Sequence, residues 1–445
     1  MIDRLVAAAR MRRVPVAIGV AVALVLGTAV LTADYRRTTT VSGGPSVLTR
    51  AQAAASWRRN EISRLLAERG RAVVHHNRAA FMATVDPESL MFRRRQRQMF
   101  ANLAEVRFAS WSYSMDVTSR RAPPPDAGRY GDPVWAPETF TLNFRLARFD
   151  DKPTNLRQYP TFVERAGHWY LGSLSDYAPL GLMSATDLWD YAPVSVVRRS
   201  DVLVLGPAEQ RATMLDVASD VETAIPQVTS VWGSRWSQRA VVLVPQTMRE
   251  MALIDEDHED LRNIAALTSA EINATAGRPS PVGDRITINP KNWTKLSALG
   301  RQVVLRHELT HVASEAATGE QTPVWLVEGL AEYVGFKFAG VPVALGASEL
   351  QDAIRAGHLP TRLPSDRDFR GADAELAAHY EAAWFACRTI AERFGEAKLV
   401  RFYRAVGTST KTARVAVRDA MARLLDLRLP QFVVLWRADM RAELA

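Results

Sequence analysis

The sequence predicts an α+β protein with two folded parts behind an apolar amino-terminal segment. Three observations predict it. Residues 14–33 carry no charge and are mostly apolar. Residues 51–171 pass from helical to alternating periodicity, helices first and strands after. From residue 196 onward, short apolar runs of strand type mix with long helical patterns, and only helical patterns occupy the end. The division expected is a cytoplasmic tip and membrane anchor over 1–37, a linker over 38–46, a small α+β domain over 47–195, and a second domain over 196–445. The second domain should hold a mixed sheet, a buried central helix and a helical C-terminal lobe.

Arg4, Arg10, Arg12 and Arg13 precede the apolar run, and Val14 to Ala33 is long enough to cross a bilayer as a helix. Basic residues ahead of such a helix favour a cytoplasmic N-terminus and an external remainder, although Arg36 and Arg37 weaken the asymmetry. A cleaved signal peptide is the competing reading. The exit Leu31-Thr32-Ala33 lacks a small-x-small site, which favours an uncleaved single-pass anchor in the cell membrane. Thr38 to Ser46 is a polar, Gly-containing linker.

The 445 residues are 47% hydrophobic and 23% charged, as in globular proteins. The net charge of +8 comes from scattered basic residues, and no basic stripe interleaved with aromatics is present, so no nucleic-acid partner is expected. Arg93-Arg94-Arg95-Gln96-Arg97 reads as a solvated helix face, with an anionic surface or partner contact as the alternative. Cys387 is the only cysteine, which excludes an intrachain disulfide and a cysteine metal cluster; its apolar helical surroundings place it in the core.

In the first folded part, Ala51 to Asn77 is a long helical pattern that continues to a stop at Pro87, and a second helix spans about Leu90 to Val106. Arg107 to Met115 and Thr139 to Leu146 then alternate as strands, with shorter strands at Thr161–Val163 and His168–Leu171. Ala122 to Pro133 is a loop. His75 and His76 point about 100° apart on a helix and are poor joint ligands, one expected in the core and one on the surface. His168 is an ordinary strand residue. Helices followed by antiparallel-type strands are similar in order to the NTF2-like cone fold, in which a curved sheet wraps a long helix. That resemblance implies a ligand-holding or assembly role.

Pro179 to Pro193 is a loop-rich join. Asp201–Gly206 and Ala240–Pro245 are buried strands, separated by a helix over Glu209–Ile225 that Pro226 should end. The acidic run 255–260, which includes His258, reads as a solvated loop or helix end, and Asn273-Ala274-Thr275 is a glycosylation sequon by pattern. Asp284 to Pro290 is a strand just ahead of a helix carrying Arg306-His307-Glu308-Leu309-Thr310-His311.

That H-E-x-x-H is the chemical centre of the sequence. Positions i and i+4 lie about 40° apart around a helix, so His307 and His311 can present two imidazole nitrogens to one ion. Zn²⁺ suits nitrogen ligands, and a catalytic site keeps one position open for water. Glu308, about 100° round from His307, is placed to take a proton from that water. Beyond the break at Gln321-Thr322-Pro323, Val324 to Val334 reads as a further helix. Glu328 and Glu332 are i,i+4 on it and share a face. One can ligate the metal and the other can hold a ligand histidine by its second ring N–H. Spacing leaves their order open, and Glu315 and Glu320 are also available.

H-E-L-T-H followed by W-L-V-E-G-L-A-E-Y resembles the gluzincin zinc metallopeptidases, in particular the peptidase MA-like domain, over roughly residues 196–445. The resemblance implies a zincin-like fold, one zinc ion, a peptide or protein substrate, Glu328 as third metal ligand and Glu332 as the acid behind a ligand histidine. It implies a sheet-edge role for the strand at 284–290, along which an extended substrate would lie. It also implies an oxyanion donor on a downstream helix, which matches Tyr380 with His379 as its neighbour and rival. Sixteen residues separate His311 from Glu328, slightly fewer than in aminopeptidase relatives. The expected function is a membrane-anchored extracytoplasmic zinc metallopeptidase. The rival is a catalytically silent zinc-binding or NTF2-like assembly protein of the cell envelope, and a non-peptide amidase would share the metal chemistry. Oligomeric state has no signature in the sequence.

Overall fold

The computed structural model describes residues 50–116, 118–254, 261, 264–273, 280–370 and 375–445. The expected anchor (1–37) and linker (38–46) lie outside the described residues, as do the acidic run 255–260 and the last two sequon residues, Ala274 and Thr275. Among the described residues, no helix is long and apolar enough to cross a membrane.

The first part opens with α1 (Arg50–Val74), α2 (Arg78–Ala83) and α3 (Leu90–Asn102), followed by β1 (Phe108–Met115), β2 (Val134–Trp135), β3 (Phe140–Leu146), β4 (Thr154–Arg157), β5 (Thr161–Arg165) and β6 (His168–Ser173). The alternation read from the sequence appears on β3, where Phe140, Leu142, Phe144 and Leu146 are buried and the residues between them are half-exposed. The strands divide into two antiparallel three-stranded sheets, β1-β3-β4 and β2-β5-β6, instead of one curved sheet. Ile62 and Leu66 of α1 pack with Trp135, Phe140 and Phe162, while Ala72 and Val73 pack with Phe81, Trp111 and Phe144. Because α1 stops at Val74, His75 and His76 are both exposed and neither enters the core. On α3, Arg94, Arg95 and Arg97 are exposed, but Arg93 turns inward to donate to the Met82 and Val85 carbonyls at 3.1 and 3.0 Å.

The second part contains β7 (Ser195–Arg198), β8 (Val202–Gly206), α4 (Arg211–Trp232), β9 (Ala240–Leu243), α5 (Met248–Ile254), β10 (Ala266–Asn273) and β11 (Ser280–Ile288). They build a mixed five-stranded sheet in the order β10-β11-β9-β8-β7, with β8, β9 and β11 parallel and the outer two strands antiparallel to their neighbours. Two expectations change here. Pro226 does not end α4, which runs on to Trp232. An interior proline costs about 3 kcal/mol, whereas Val228, Val231 and Trp232 extend the buried face beyond it, each gaining about 1.5–3 kcal/mol by burial. And β11 is not the sheet edge. β10, which the sequence pattern does not announce, pairs with β11 from Ala266↔Ile288 onward and takes the outer position.

The helical remainder is α6 (Ala298–Ser314), α7 (Val324–Lys337), α8 (Val343–Gly346), α9 (Ser348–Arg355), α10 (Glu375–Phe394), α11 (Glu396–Gly407), α12 (Ala413–Ala420) and α13 (Leu429–Leu444). One face of the sheet, through Val202, Val204, Val242, Ile286 and Ile288, joins the large core beneath α4 and α6. The opposite face, through Leu203, Leu205, Val241 and Leu243, joins the core of the first part beside Phe108, Phe144 and Trp189. The sheet is thus covered on both sides, which is why β8 and β9 read as unbroken apolar runs. The expected boundary at 195/196 therefore lies within one continuous apolar seam. Arg285 on β11 reinforces that seam: its two terminal nitrogens reach the two Asp150 carboxylate oxygens at 2.9 and 2.8 Å.

Candidate metal centre

Ser297 precedes α6, and its hydroxyl accepts from the Gly300 N–H at 3.1 Å and caps the first turn. From Val304 to Ser314 the helix is buried all round, as a helix in the middle of a core must be. Its polar residues are enclosed with its apolar ones: His307, Glu308 and His311 expose 1%, 0% and 2% of their surface. α7 begins after Pro323, and the Val324 N–H is taken up by Asp366 Oδ1 at 2.9 Å. Two glycines let α7 approach its neighbours. A methyl at Gly335 would crowd Val303 O on α6, and one at Gly329 would overlap Ala383 O and Cys387 Sγ on α10. Cys387 is buried and free, as expected of a core residue. Arg306 ties the crossing by donating from Nε to Gly335 O at 2.9 Å.

This packing brings His307, His311 and Glu328 together, with one ligand atom from each inside a 4.8 Å span. Glu328 Oε2 lies 3.4 Å from His307 Nε2 and 3.6 Å from His311 Nε2. Donors about 2.0–2.1 Å from a tetrahedral zinc stand about 3.3–3.4 Å apart, so these separations fit one ion. The same residues leave buried polar atoms unmatched. Both ring nitrogens of His307 and His311, Glu328 Oε2 and Glu308 Oε1 have no hydrogen-bond partner among the described residues. Buried polar atoms are rarely left so, and a cation would answer several of them at once.

The electrostatics agree. Burial alone would depress the His307 pKa, but the carboxylates of Glu328 and Glu332 outweigh it and push it up to about 10. Burial pushes Glu328 up to about 7 and raises Glu308 as well. His311 is driven down by burial and by the neighbouring charge of His307. The carboxylates thus favour a positive partner at His307, while burial disfavours charge on His311.

Glu332 Oε1 stands 3.4 Å from His307 Nδ1, the ring nitrogen turned away from the cluster. This orders the pair that spacing left open: Glu328 faces the cluster and Glu332 stands behind a histidine. Glu315 and Glu320 are not part of the cluster. Glu320 is exposed, and Glu315 pairs with Asp284: burial holds both carboxyls above their usual range, and the charge of Asp284 raises Glu315 further. Tyr380 is buried on α10, edge-on to Phe369 with ring centres 5.1 Å apart. It precedes by one turn the point where Ala383 meets Gly329. Its neighbour His379 is turned to Asp368 O, 3.0 Å from Nδ1.

The sequence gives no sign of Thr268. It stands on β10, forty residues before Glu308, and its hydroxyl lies 2.6 Å from Glu308 Oε2 and 3.2 Å from Glu308 O. Only the pairing of β10 onto β11 brings it over α6.

No family model matches the chain, and no curated protein does. Among solved structures, yeast LTA4 hydrolase is similar over 56% of this chain and 39% of its own, at 15% identity and TM-score 0.34. An M1 zinc metallopeptidase from Deinococcus radiodurans is similar over 74% of this chain and 69% of its own, at 14% identity and TM-score 0.33. A two-domain M1 zinc metallopeptidase mutant bound to L-arginine is similar over 62% of this chain and 58% of its own, at 15% identity and TM-score 0.33. The chain spans well under half the length of the yeast hydrolase.

Proposed function

We propose that the chain is a gluzincin-type zinc metallopeptidase acting on peptides or proteins outside the cytoplasm, tethered by its amino-terminal apolar run. One observation carries this: the convergence of His307, His311 and Glu328 with a buried, half-unpartnered Glu308 beside them. His307, His311 and Glu328 would hold a single zinc ion. Zinc bound there would supply an acidified water and a polarised carbonyl. Glu308 takes a proton at its unpartnered Oε1 and delivers it to the leaving amine nitrogen. Glu332 orients His307 through Nδ1. Tyr380 donates to the oxygen that gains charge on the substrate carbonyl. A silent zinc site has no use for an acid between its histidines with one oxygen left free, and this favours catalysis over a purely structural or assembly role.

The test is metal analysis of the purified protein combined with Glu308→Gln. The wild type should carry about one zinc per chain, and E308Q should keep it while hydrolysis of a fluorogenic casein falls about 10²–10⁴-fold. Wild-type protein that holds no zinc, or E308Q with undiminished hydrolysis, would refute the proposal.

A further inference from the structure

We propose that Thr268 is a positioning residue for Glu308, selecting which carboxylate oxygen receives the proton. The proposal rests on the metallopeptidase reading and goes one step beyond it. Glu308 is fully buried, so nothing in solvent can fix its carboxylate. The Thr268 hydroxyl, itself buried, is the side-chain donor to that carboxylate among the described residues, at 2.6 Å from Oε2, and the Thr268 backbone N–H reinforces it. The same hydroxyl lies 3.2 Å from Glu308 O, and its one proton goes to the nearer acceptor, Oε2. The other oxygen, Oε1, is left without a partner. A donor on one carboxylate oxygen lowers that oxygen's basicity and leaves the free one as the better proton acceptor. In the chemical step a water O–H bond breaks and its proton forms a bond to Oε1. The same proton later passes to the leaving nitrogen, which restores the carboxylate with Thr268 still bound to Oε2.

The test compares Thr268→Val, which keeps the shape and strand preference but removes the donor, with Thr268→Ser, which keeps the donor. Zinc content and melting temperature are measured on both. Turnover of fluorogenic casein and calorimetric titration with acetohydroxamate follow. A hydroxamate chelates zinc and gives its hydroxyl proton to the adjacent carboxylate, so it reports the position of Glu308 without turnover. T268V should retain zinc and stability, lose about 10–100-fold in kcat with little change in KM, and bind acetohydroxamate about tenfold more weakly; T268S should restore both. T268V matching the wild type in both readouts, or T268S impaired as much as T268V, would overturn the proposal. A wild type that holds no zinc and binds no acetohydroxamate would remove the metallopeptidase reading, and this one with it.

Discussion

The α6–α7 crossing and the seam between the sheet and the first part are equally buried, yet they are assembled in opposite ways. At the crossing, four of the key side chains sit on two helices at spacings fixed by helix geometry: His307 and His311 on one, Glu328 and Glu332 on the other. The helices need only meet, and Gly329 and Gly335 let the second nestle between α10 and α6. At the seam, Leu203, Leu205, Val241 and Leu243 alternate on two parallel strands and are covered by aromatics from residues 108–189. No local pattern names that cover. The comparison teaches that a site can be local in sequence while the platform under it depends on a distant segment.

The largest effect should come from removing the cover. A chain starting at residue 196 exposes those four side chains and leaves Arg285 without Asp150. Each buried aliphatic residue contributes about 1.5–3 kcal/mol, and a domain has only about 5–15 kcal/mol in total. The truncated chain should lose its cooperative thermal transition and its near-ultraviolet dichroism, and zinc retention with them. A sharp melt within a few degrees of the parent would show that the two parts are separable after all. Deletion of the first part therefore tests folding before it tests partner binding.

Arg285→Met sharpens the comparison from the polar side. Arg285 exposes 7% of its surface, and its loss takes from buried Asp150 and Asp187 the guanidinium that acts on both. Breaking one half of a buried pair costs about 3–5 kcal/mol, read as a lowered urea midpoint. Pairing it with Asp150→Leu should recover most of that loss, because the unpaired charge is then gone. Recovery would confine the effect to the seam; an unchanged midpoint in the single variant would show that the ion pair adds nothing to it.

The smallest effect should follow from Gly329→Ala. The added methyl forces α7 away from Ala383, an overpacking cost of about 1–3 kcal/mol. Glu328 is the adjacent residue, so zinc affinity in a chelator competition should fall more than the melting temperature suggests. Affinity that stays at the wild-type level would show that the crossing tolerates looser packing than its geometry implies.

The His307, His311 and Glu328 cluster was legible because helical periodicity is a local rule. Once α6 and α7 are helices, His307 with His311, and Glu328 with Glu332, share faces whatever else the chain does. Three-dimensional packing had to decide the rest. It alone set the places of the two glutamates, since both lie on one face and only the crossing point puts Glu328 near both histidines and Glu332 near His307 alone. It carried α4 through Pro226, because buried side chains beyond the proline outweigh one lost hydrogen bond. It put β10 outside β11 and so brought Thr268 to Glu308, a contact forty residues apart that depends on strand pairing. The residue types and their intervals determined which chemistry the protein can hold; the pairing of distant strands and helices decided how that chemistry is aimed, since such contacts are fixed by the shared core and not by neighbours in the chain.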